Sequence, residues 1–345
     1  MNIFKLIAVL LLLIIAFSCD KYDLVRTNPT DFKSKNFKPL PELTTITATV
    51  ITSYCATVSG NVISEGASSV TARGICWSTS QSPTIADNKT TNGIGMGSFT
   101  GNLINLTPNT TYYVRAYATN SQGTSYGNQV SFTTDKPTSG IFIDNRDGNE
   151  YNYIKIGNQI WMGENLAYLP MVNMSSERSS TLPYYYVYDY NGTDTSVAKT
   201  TSNYKVYGVL YNWPAAMNGQ GSSDSDPSGV RGACPAGWHL PSTSEWIELV
   251  YYLGGDNVAD DKMKEVGDAH WLSPNDSTTN CSGFTAIPAG YCNDDDFYYM
   301  GESTSWWTAT ENNVYNPPNS FAYSLFLDYI PLKLGCFILA SSLQV

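Results

Sequence analysis

The sequence has little charge and few side chains suited to acid–base chemistry at neutral pH. Only 14% of its 345 residues are charged, there are two histidines, and the net charge is −11. Nucleic-acid binding depends on basic patches, so this acidic balance argues against that class of partner. The motifs of zinc peptidases, serine hydrolases, P-loop proteins and dinucleotide-binding proteins are absent. We therefore expect a non-enzymatic protein.

Long apolar runs are also scarce, and the clearest one stands at the N-terminus. An uncharged run from Leu6 to Ser18 is short for a transmembrane helix but has the length of a signal-peptide core. The sequence around Cys19 resembles a bacterial lipobox, with an uncleaved anchor or an ordinary signal peptide as the alternatives. We predict a lipoprotein signal peptide over residues 1–18 and a polar tether over 19–40. The chain would then be attached to the outer membrane through an N-terminal lipid and exposed at the cell surface.

Six cysteines remain beyond Cys19, and none has the CxxC spacing of a zinc knuckle. An oxidising envelope permits disulfides, but the spacing alone does not select a pairing. A bond between Cys55 and Cys76 is one option. Cys76, beside a tryptophan, is more typical of a small buried residue than of a reactive thiol.

Residues 41–134 contain five short runs of alternating polar and apolar residues separated by turn residues. This pattern predicts an antiparallel β-sandwich, with Tyr112, Val114, Ala116 and Ala118 on one buried face. The segment 106–112, LTPNTTY, resembles the tyrosine corner of fibronectin type III domains. The resemblance implies a fibronectin type III-like sandwich in which the Tyr112 hydroxyl bonds to the preceding backbone. Such modules usually act as spacers, and a binding surface is the alternative.

A linker over 135–140 leads to a second domain, 141–345, whose most specific local pattern lies between Gly237 and Gly255. Ser242 and Glu245 have the spacing of a capping box, which predicts that a helix begins there. Gly254 has the permissive backbone that commonly ends a helix, so we expect the helix to end there. One face of the helix is apolar and consists of Trp246, Leu249, Val250 and Leu253. If Glu245 acts only in this cap, Glu245→Ala should lower the free energy of unfolding by about 1 kcal/mol or less.

Five blocks occur in register across this domain: GNQIWMGENL at 157–166, YGVLYNWPAA at 207–216, CPAGWHLPSTSEW at 234–246, SGFTAIPAGY at 282–291 and WWTAT at 306–310. In this order they resemble the Fibrobacter succinogenes major paralogous domain, which is related to the C-type lectin-like fold. The resemblance implies an α+β domain with a small twisted antiparallel sheet, one or two helices and long loops. The resemblance also implies that Trp238 and Trp246 anchor the hydrophobic core and that His239 has a hydrogen-bonded packing role.

The C-terminus departs from the family pattern. Family members close with a strand resembling GFSVRCV, whereas CFILASSLQV follows Gly335 here. A final strand from Cys336 to Leu339 is still expected. The family's pairing of Cys234 with a terminal cysteine does not transfer directly to this altered end.

The ligand-binding surface is expected in the loops after Gly290, where aromatic and acidic residues are dense. Exposed aromatic rings can stack on sugars or anchor a protein partner, and the alternative is that they fill the core. Clustered carboxylates such as those of Asp294, Asp295 and Asp296 are typical ligands of Ca²⁺. The alternative is that they form a solvated acidic loop. The candidate ligand-binding residues are Tyr291, Asp294, Asp295, Asp296, Tyr298, Tyr299, Trp306, Trp307, Glu311 and Asn312.

The order of these parts predicts a lipid-anchored protein that presents a lectin-like domain to a glycan or to an envelope or host protein. No cofactor is expected other than Ca²⁺. The alternative is a structural or assembly component of the cell surface. A remoter alternative comes from the similarity of the Trp-His-Leu-Pro block to formylglycine-generating proteins. That chemistry would require reactive late cysteines, here Cys281 and Cys292, which could equally form a disulfide.

Overall fold

The computed structural model describes residues 38–256, 258–293, 296–312 and 322–328. Four predictions concern residues outside these ranges: the signal peptide with Cys19, most of the tether, the acidic pair Asp294 and Asp295, and the strand from Cys336 to Leu339. Within the described ranges, no helix has both the length and the apolar character needed to cross a membrane.

Two antiparallel sheets form the first part of the described chain. One has the strand order β1 (Glu42–Thr45), β2 (Ala56–Ser64), β5 (Gly97–Leu103). The other contains β3 (Ala72–Ser78), β4 (Asn88–Lys89), β6 (Thr111–Asn120), β7 (Gly123–Tyr126) and β8 (Val130–Thr133). Its order is β4-β3-β6-β7, and β8 also pairs with β6. The predicted antiparallel sandwich is therefore confirmed.

Strand β6 shows why the alternating pattern gives this fold. Tyr112, Val114, Ala116 and Ala118 are all buried in one core, since alternate side chains of a strand point to the same face. The Tyr112 hydroxyl accepts a hydrogen bond of 3.0 Å from the amide of Thr107. The predicted tyrosine corner is thus present and ties β6 to the segment that precedes it.

The second part of the chain is built from smaller sheets. A three-stranded antiparallel sheet has the order β11-β10-β9, with β9 at Ser139–Ile143, β10 at Glu150–Ile156 and β11 at Gln159–Met162. Three ribbons pair β12 (Tyr185–Tyr186) with β13 (Leu210–Tyr211), β14 (Ala289–Asn293) with β15 (Asp296–Met300), and β16 (Ser303–Glu311) with β17 (Ala322–Asp328). Ile156 faces Gln159 across the predicted turn, in which Gly157 has φ +61°.

The described part of this domain contains five short helices, more than the one or two expected. They are α1 (Thr195–Ala198), α2 (Ser202–Tyr207), α3 (Trp213–Met217), α4 (Thr243–Tyr252) and α5 (Ala259–Met263). Asp194, Thr201 and Asn212 cap the first three through their side chains. Single turns of helix with local caps give too little periodicity to be recognised in a sequence.

Helix α4 is the centre of one of the domain's cores. Its capping box is complete, and Gly254 with φ +106° follows its end. The predicted apolar face is buried and packs with Ile156, Trp271 and Phe284. The local prediction for this helix is therefore confirmed in its start, its end and its buried face.

A disulfide joins the two parts of the chain, between Cys55 of the sandwich and Cys281 of the second domain. Because Cys55 and Cys281 are bonded to each other, neither the Cys55–Cys76 bond nor a Cys281–Cys292 bond is formed. Cys76 and Cys234 are buried free thiols, and burial raises the pKa of the Cys234 thiol to about 12.

Three hydrogen bonds lie close to this disulfide. Thr52 Oγ1 donates to the carbonyl of Cys281 at 2.9 Å, and the Tyr252 hydroxyl donates to the carbonyl of Ile51 at 2.6 Å. Lys262 Nζ lies 3.1 Å from Thr57 Oγ1. The junction between the domains therefore includes polar contacts on several sides of the disulfide.

Candidate functional site

An open cleft with a volume of about 660 Å³ lies in the second domain, between the β10–β11 hairpin, the segment before α4 and the start of α4. Its polar lining includes Asn158, Gln159, Glu164, Asp226, His239 and Glu245. Its aromatic lining consists of Phe142, Tyr153, Trp161, Trp238, Trp246, Phe284, Trp306 and Trp307. Concave apolar walls with a few polar groups are the usual character of a small-ligand site.

Trp161 forms part of one wall and is half-buried. Its ring lies 4.3 Å from the ring of Trp246, centroid to centroid, and its indole N–H donates to Gln159 Oε1 at 3.1 Å. Gln159 Nε2 in turn donates to the carbonyl of Glu245 at 2.9 Å. Hydrogen bonds of Gln159 in the β10–β11 hairpin therefore fix the orientation of the Trp161 indole. Part of the indole surface remains exposed to solvent.

Trp238 forms part of another wall. It follows a turn in which its amide donates to the carbonyl of Pro235 at 3.1 Å. Its ring packs on Phe142 at 4.7 Å and on Tyr153 at 6.2 Å. Trp238 is half-buried, and within the described residues its indole N–H makes no hydrogen bond. Trp238 packs against the core of the domain, as expected of a core anchor, and part of its ring also lines the cleft.

His239 and Glu245 form the polar centre of the cleft. Nε2 of His239 lies 2.6 Å from Oε1 of Glu245, and the two side chains are 38% and 8% exposed. Oε2 of Glu245 accepts from the amides of Ser242 at 2.9 Å and Ser228 at 3.0 Å. The predicted hydrogen-bonded role of His239 is confirmed, and the capping Glu245 anchors three groups rather than one.

The same contacts set the charge of the pair. The hydrogen bond to Glu245 raises the pKa of His239 above its usual value. Burial alone would raise the pKa of Glu245, but the hydrogen bonds from His239 and the Ser242 amide outweigh it and lower that pKa. Both shifts favour the imidazolium–carboxylate form of the pair.

A second acidic group stands at the rim. Asp226 is exposed, lines the cleft and is one of the charges that raise the pKa of His239. A hydrogen bond with Asp226 also raises the pKa of Glu248 on α4. Two carboxyl groups thus lie close together beside the cleft, and the described residues that line it include no lysine or arginine.

The predicted aromatic residues at 306 and 307 lie in β16, not in a loop, and are buried to 6% and 2% exposure. The indole N–H of Trp306 donates to Asn165 Oδ1 at 3.0 Å, and that of Trp307 donates to the carbonyl of Tyr211 at 2.8 Å. Both are therefore largely buried parts of the cleft wall rather than exposed aromatic surfaces. Trp246, predicted to be core, is confirmed at 4% exposure.

The tyrosines predicted to bind a ligand form a separate cluster on the β14–β15 ribbon. Tyr291, Tyr298 and Tyr299 have ring centroids 5.5 to 6.3 Å apart, and Tyr298 and Tyr299 are 37% and 50% exposed. Phe297 and Tyr298 belong to a regular strand rather than to the expected loop. This ribbon, the tyrosine ribbon, does not line the aromatic cleft.

The remaining predicted residues are dispersed. Asp296 is exposed at the start of β15, Glu311 ends β16, and Asn312 is buried directly after it. No group of three metal-binding side chains lies together within the described residues. The Ca²⁺ prediction depends mainly on Asp294 and Asp295, which lie outside those residues, and it remains untested.

A second aromatic run extends from Tyr184 to Tyr190, and the side chains at its centre pack inside the domain. Tyr185 and Tyr186 form β12 and are buried, and Val187 is fully buried between the tyrosines. The Tyr186 hydroxyl donates to the carbonyl of Glu177 at 2.5 Å. The centre of this run therefore belongs to the core.

Sequence reasoning missed Phe142, Tyr153, Trp161 and Asp226 as neighbours in one site. Trp161 stands in the block 157–166, but nothing in that block distinguishes a ring that lines a cleft from a ring in the core. Nothing local could have placed Asp226 beside His239, because that proximity depends on how the segment before Ser228 folds against α4.

The fold and the cleft define a mostly β protein in which a sandwich domain precedes an α+β domain with an aromatic cleft. The model of the Fibrobacter succinogenes major domain matches residues 154–328, just over half of the chain, and the chain belongs to this family. The helix α4 and the cleft residues Trp161, Trp238 and His239 all lie within the matched region.

Comparison with solved structures gives partial matches. The third fibronectin III domain of human KIAA0343 protein is 18% identical, with 30% of this chain and 91% of that chain covered and a TM-score of 0.23. The sensor domain of the anti-sigma factor RsgI4 in Pseudobacteroides cellulosolvens is 17% identical, with 28% and 97% covered and a TM-score of 0.23. Among curated proteins there is no match.

Proposed function

We propose that this protein is a lipid-anchored envelope protein whose second domain, with a lectin-like fold, binds a glycan in the aromatic cleft. The observation that carries the proposal is the pair of half-buried tryptophans, Trp161 and Trp238, held by aromatic neighbours beside a cleft of about 660 Å³. Large rigid rings bind flat apolar surfaces with little loss of conformational entropy, and the apolar face of a sugar ring is such a surface. The lipobox at Cys19 supports the anchor.

Polar groups at the cleft suit the hydroxyl groups of a saccharide. The indole N–H of Trp238 is a free donor, and His239 is 38% exposed next to it in sequence. Trp161 and Glu245 are already oriented by hydrogen bonds within the protein. A site whose side chains are fixed before binding loses less free energy on binding than one that must order them.

The chemistry of the pair supports binding rather than catalysis. The carboxylate of Glu245 accepts hydrogen bonds from His239 and from two backbone amides, so its oxygens are already engaged. The lowered pKa of Glu245 keeps it ionised at neutral pH, which suits an anchor and not a proton donor. The formylglycine-type alternative loses its cysteine pair, because Cys281 is bonded to Cys55.

A glycan array with the full chain, followed by calorimetric titration of the best saccharide, tests the proposal. Trp238→Ala should weaken binding at least tenfold, about 1.4 kcal/mol, while the protein stays folded. Tyr251→Ala is the matched control, since Tyr251 is 76% exposed and does not line the cleft. An array without binding, or a Trp238 variant with wild-type affinity, would contradict the proposal.

A structural or assembly role at the cell surface is the second candidate, and the tyrosine ribbon favours it. Tyr298 and Tyr299 present a partly exposed aromatic surface, of the kind enriched at protein interfaces. A pull-down of envelope proteins with the full chain that is lost in Tyr298→Ser/Tyr299→Ser but kept in Trp238→Ala would support this role. Retention of the same partners by the ribbon variant would argue against it.

A further inference from the structure

We infer that the saccharide bound in the cleft carries a protonated amine, as an amino sugar does. The inference rests on the proposed function and adds the charge of the ligand to it. The cleft is lined by Glu164, Asp226 and Glu245 but by no lysine or arginine, and its only cationic group is His239.

The charge of His239 is already neutralised. Its Nε2 lies 2.6 Å from Oε1 of Glu245, so this pair together contributes little net charge to the cleft. Among the described residues neither Glu164 nor Asp226 forms an ion pair with a lining side chain, although the charge of Asp226 acts on His239 as well. Lys155 lies opposite Ile160 at the β10–β11 hairpin, but it is exposed and is not part of the lining. The cleft is therefore negative as well as aromatic.

The two acids are held in place by different segments. Both carboxylate oxygens of Glu164 accept from Asn152, from its amide at 2.7 Å and from Nδ2 at 2.5 Å. Asp226 lies in the segment before Ser228 and is close to the carboxyl of Glu248. Carboxyl groups placed near one another repel, and a cation between or beside them removes that repulsion. A neutral or anionic ligand would leave the repulsion unchanged or increase it.

The aromatic walls favour the same ligand. A cation within about 6 Å of an indole face is attracted by the negative charge of that face, and tryptophan is the strongest of the aromatic side chains in this respect. Trp161 and Trp238 are both half-buried, so each offers ring surface to the cleft. The ring of a protonated amino sugar can stack on a tryptophan, and its ammonium group is attracted by the indole face. The same ammonium group can pair with the carboxylates.

The cleft also continues beyond the space of a single site. A second hollow of about 420 Å³ shares Tyr153, Met162, Glu164, Phe284 and Trp306 with it. Glu164 therefore borders both spaces. An oligosaccharide with an amine on successive rings can place one ammonium group near Asp226 and another near Glu164.

Four matched tetramers test the inference by calorimetric titration of the full chain at pH 6: β-1,4-linked glucosamine, N-acetylglucosamine, glucose and the peptide tetralysine. The glucosamine tetramer should bind at least tenfold tighter than the two neutral sugars and than tetralysine. Its affinity should fall as salt is raised, because the attraction is electrostatic. Tetralysine with equal affinity would show that the amine alone is recognised and would overturn the saccharide part of the inference.

Asp226→Asn should reduce the preference for the amino sugar from tenfold or more to about threefold or less, and Glu164→Gln should act in the same direction. Asp276→Asn removes the same charge from an exposed position outside the cleft and should leave the preference unchanged. Equal binding of neutral and amino sugars, unaffected by these variants, would refute the inference and leave glycan binding intact. Absence of binding to every saccharide would refute glycan binding itself.

Discussion

The sandwich and the second domain bury their aromatic residues by different rules. In the sandwich, alternation along β6 predicts the buried face that contains Tyr112, and Tyr112 has its predicted partner, although Tyr117 of the other face is also buried. In the second domain, Trp238 and Trp246 both line the open cleft, but Trp246 is 4% exposed whereas Trp238 is only half-buried. The difference shows that local periodicity predicts burial in a regular sheet but not where short segments from distant positions meet.

The largest expected effect concerns the bond between the two regions. A Cys55→Ser/Cys281→Ser variant should lose about 4 kcal/mol of stability, since the disulfide closes a long loop. Without this bond the sandwich and the second domain should unfold in separate transitions. Scanning calorimetry measures both effects. A variant that unfolds in one transition at the wild-type temperature would show that packing, not the disulfide, couples the regions.

The next effect tests the polar centre of the cleft. Glu245→Ala should cost about 3 kcal/mol, more than a helix cap alone, because the amides of Ser228 and Ser242 and the ring of His239 all lose their acceptor. Urea unfolding checks this value. Glu245→Gln keeps a carbonyl acceptor and should lose clearly less. Equal losses in the two variants would mean that the charge alone matters.

The buried lysine at the junction predicts a dependence on pH. Burial lowers the pKa of Lys262 to about 8, whereas an exposed lysine has a pKa near 10.4. The folded state therefore binds fewer protons than the unfolded state between these values, and stability should rise with pH there by about 3 kcal/mol. Below pH 8 the cost of burying the charge is fully present.

Unfolding curves between pH 7 and 10.5 measure this rise. Lys262→Met should abolish it, while Lys205→Met, at an exposed position, should preserve it. A rise of the same size in the Lys262 variant would assign the pH dependence to another group.

The smallest effect compares two buried tryptophans of the second domain. The indole N–H of Trp307 donates to the carbonyl of Tyr211, whereas that of Trp246 has no acceptor among the described residues. Both phenylalanine variants lose volume, but only Trp307→Phe leaves a carbonyl without its donor. Trp307→Phe should therefore be less stable than Trp246→Phe by about 1 kcal/mol in urea unfolding. The opposite order would contradict the hydrogen-bond assignment.

Much of the local structure could be predicted from sequence, because it depends on residues a few positions apart. The capping box of Ser242 and Glu245, the turn at Gly157 and the corner at Tyr112 are of this kind. Of the described residues predicted to bind a ligand, Trp306 and Trp307 line the aromatic cleft and the others lie outside it. Dense aromatics after Gly290 indicated a surface, but whether a ring is exposed depends on contacts that no short pattern contains.

The position of Cys281 shows the same limit more clearly. Its partner is Cys55, 226 residues away in the other domain, and no spacing rule selects that pair. The meeting of Asp226, His239 and Glu245 likewise depends on the packing of the segment at 226–241 against α4. The cleft could be recognised only after the chain had been folded.

Calorimetric titration of the best-binding saccharide into the full chain tests the central claim most directly, with Trp238→Ala and Tyr299→Ala compared side by side. Both variants remove an aromatic ring, one from the cleft and one from the tyrosine ribbon. We predict at least a tenfold loss of affinity for Trp238→Ala and less than about twofold for Tyr299→Ala. Loss of binding in the Tyr299 variant with wild-type affinity in the Trp238 variant would contradict the claim and place the site on the ribbon.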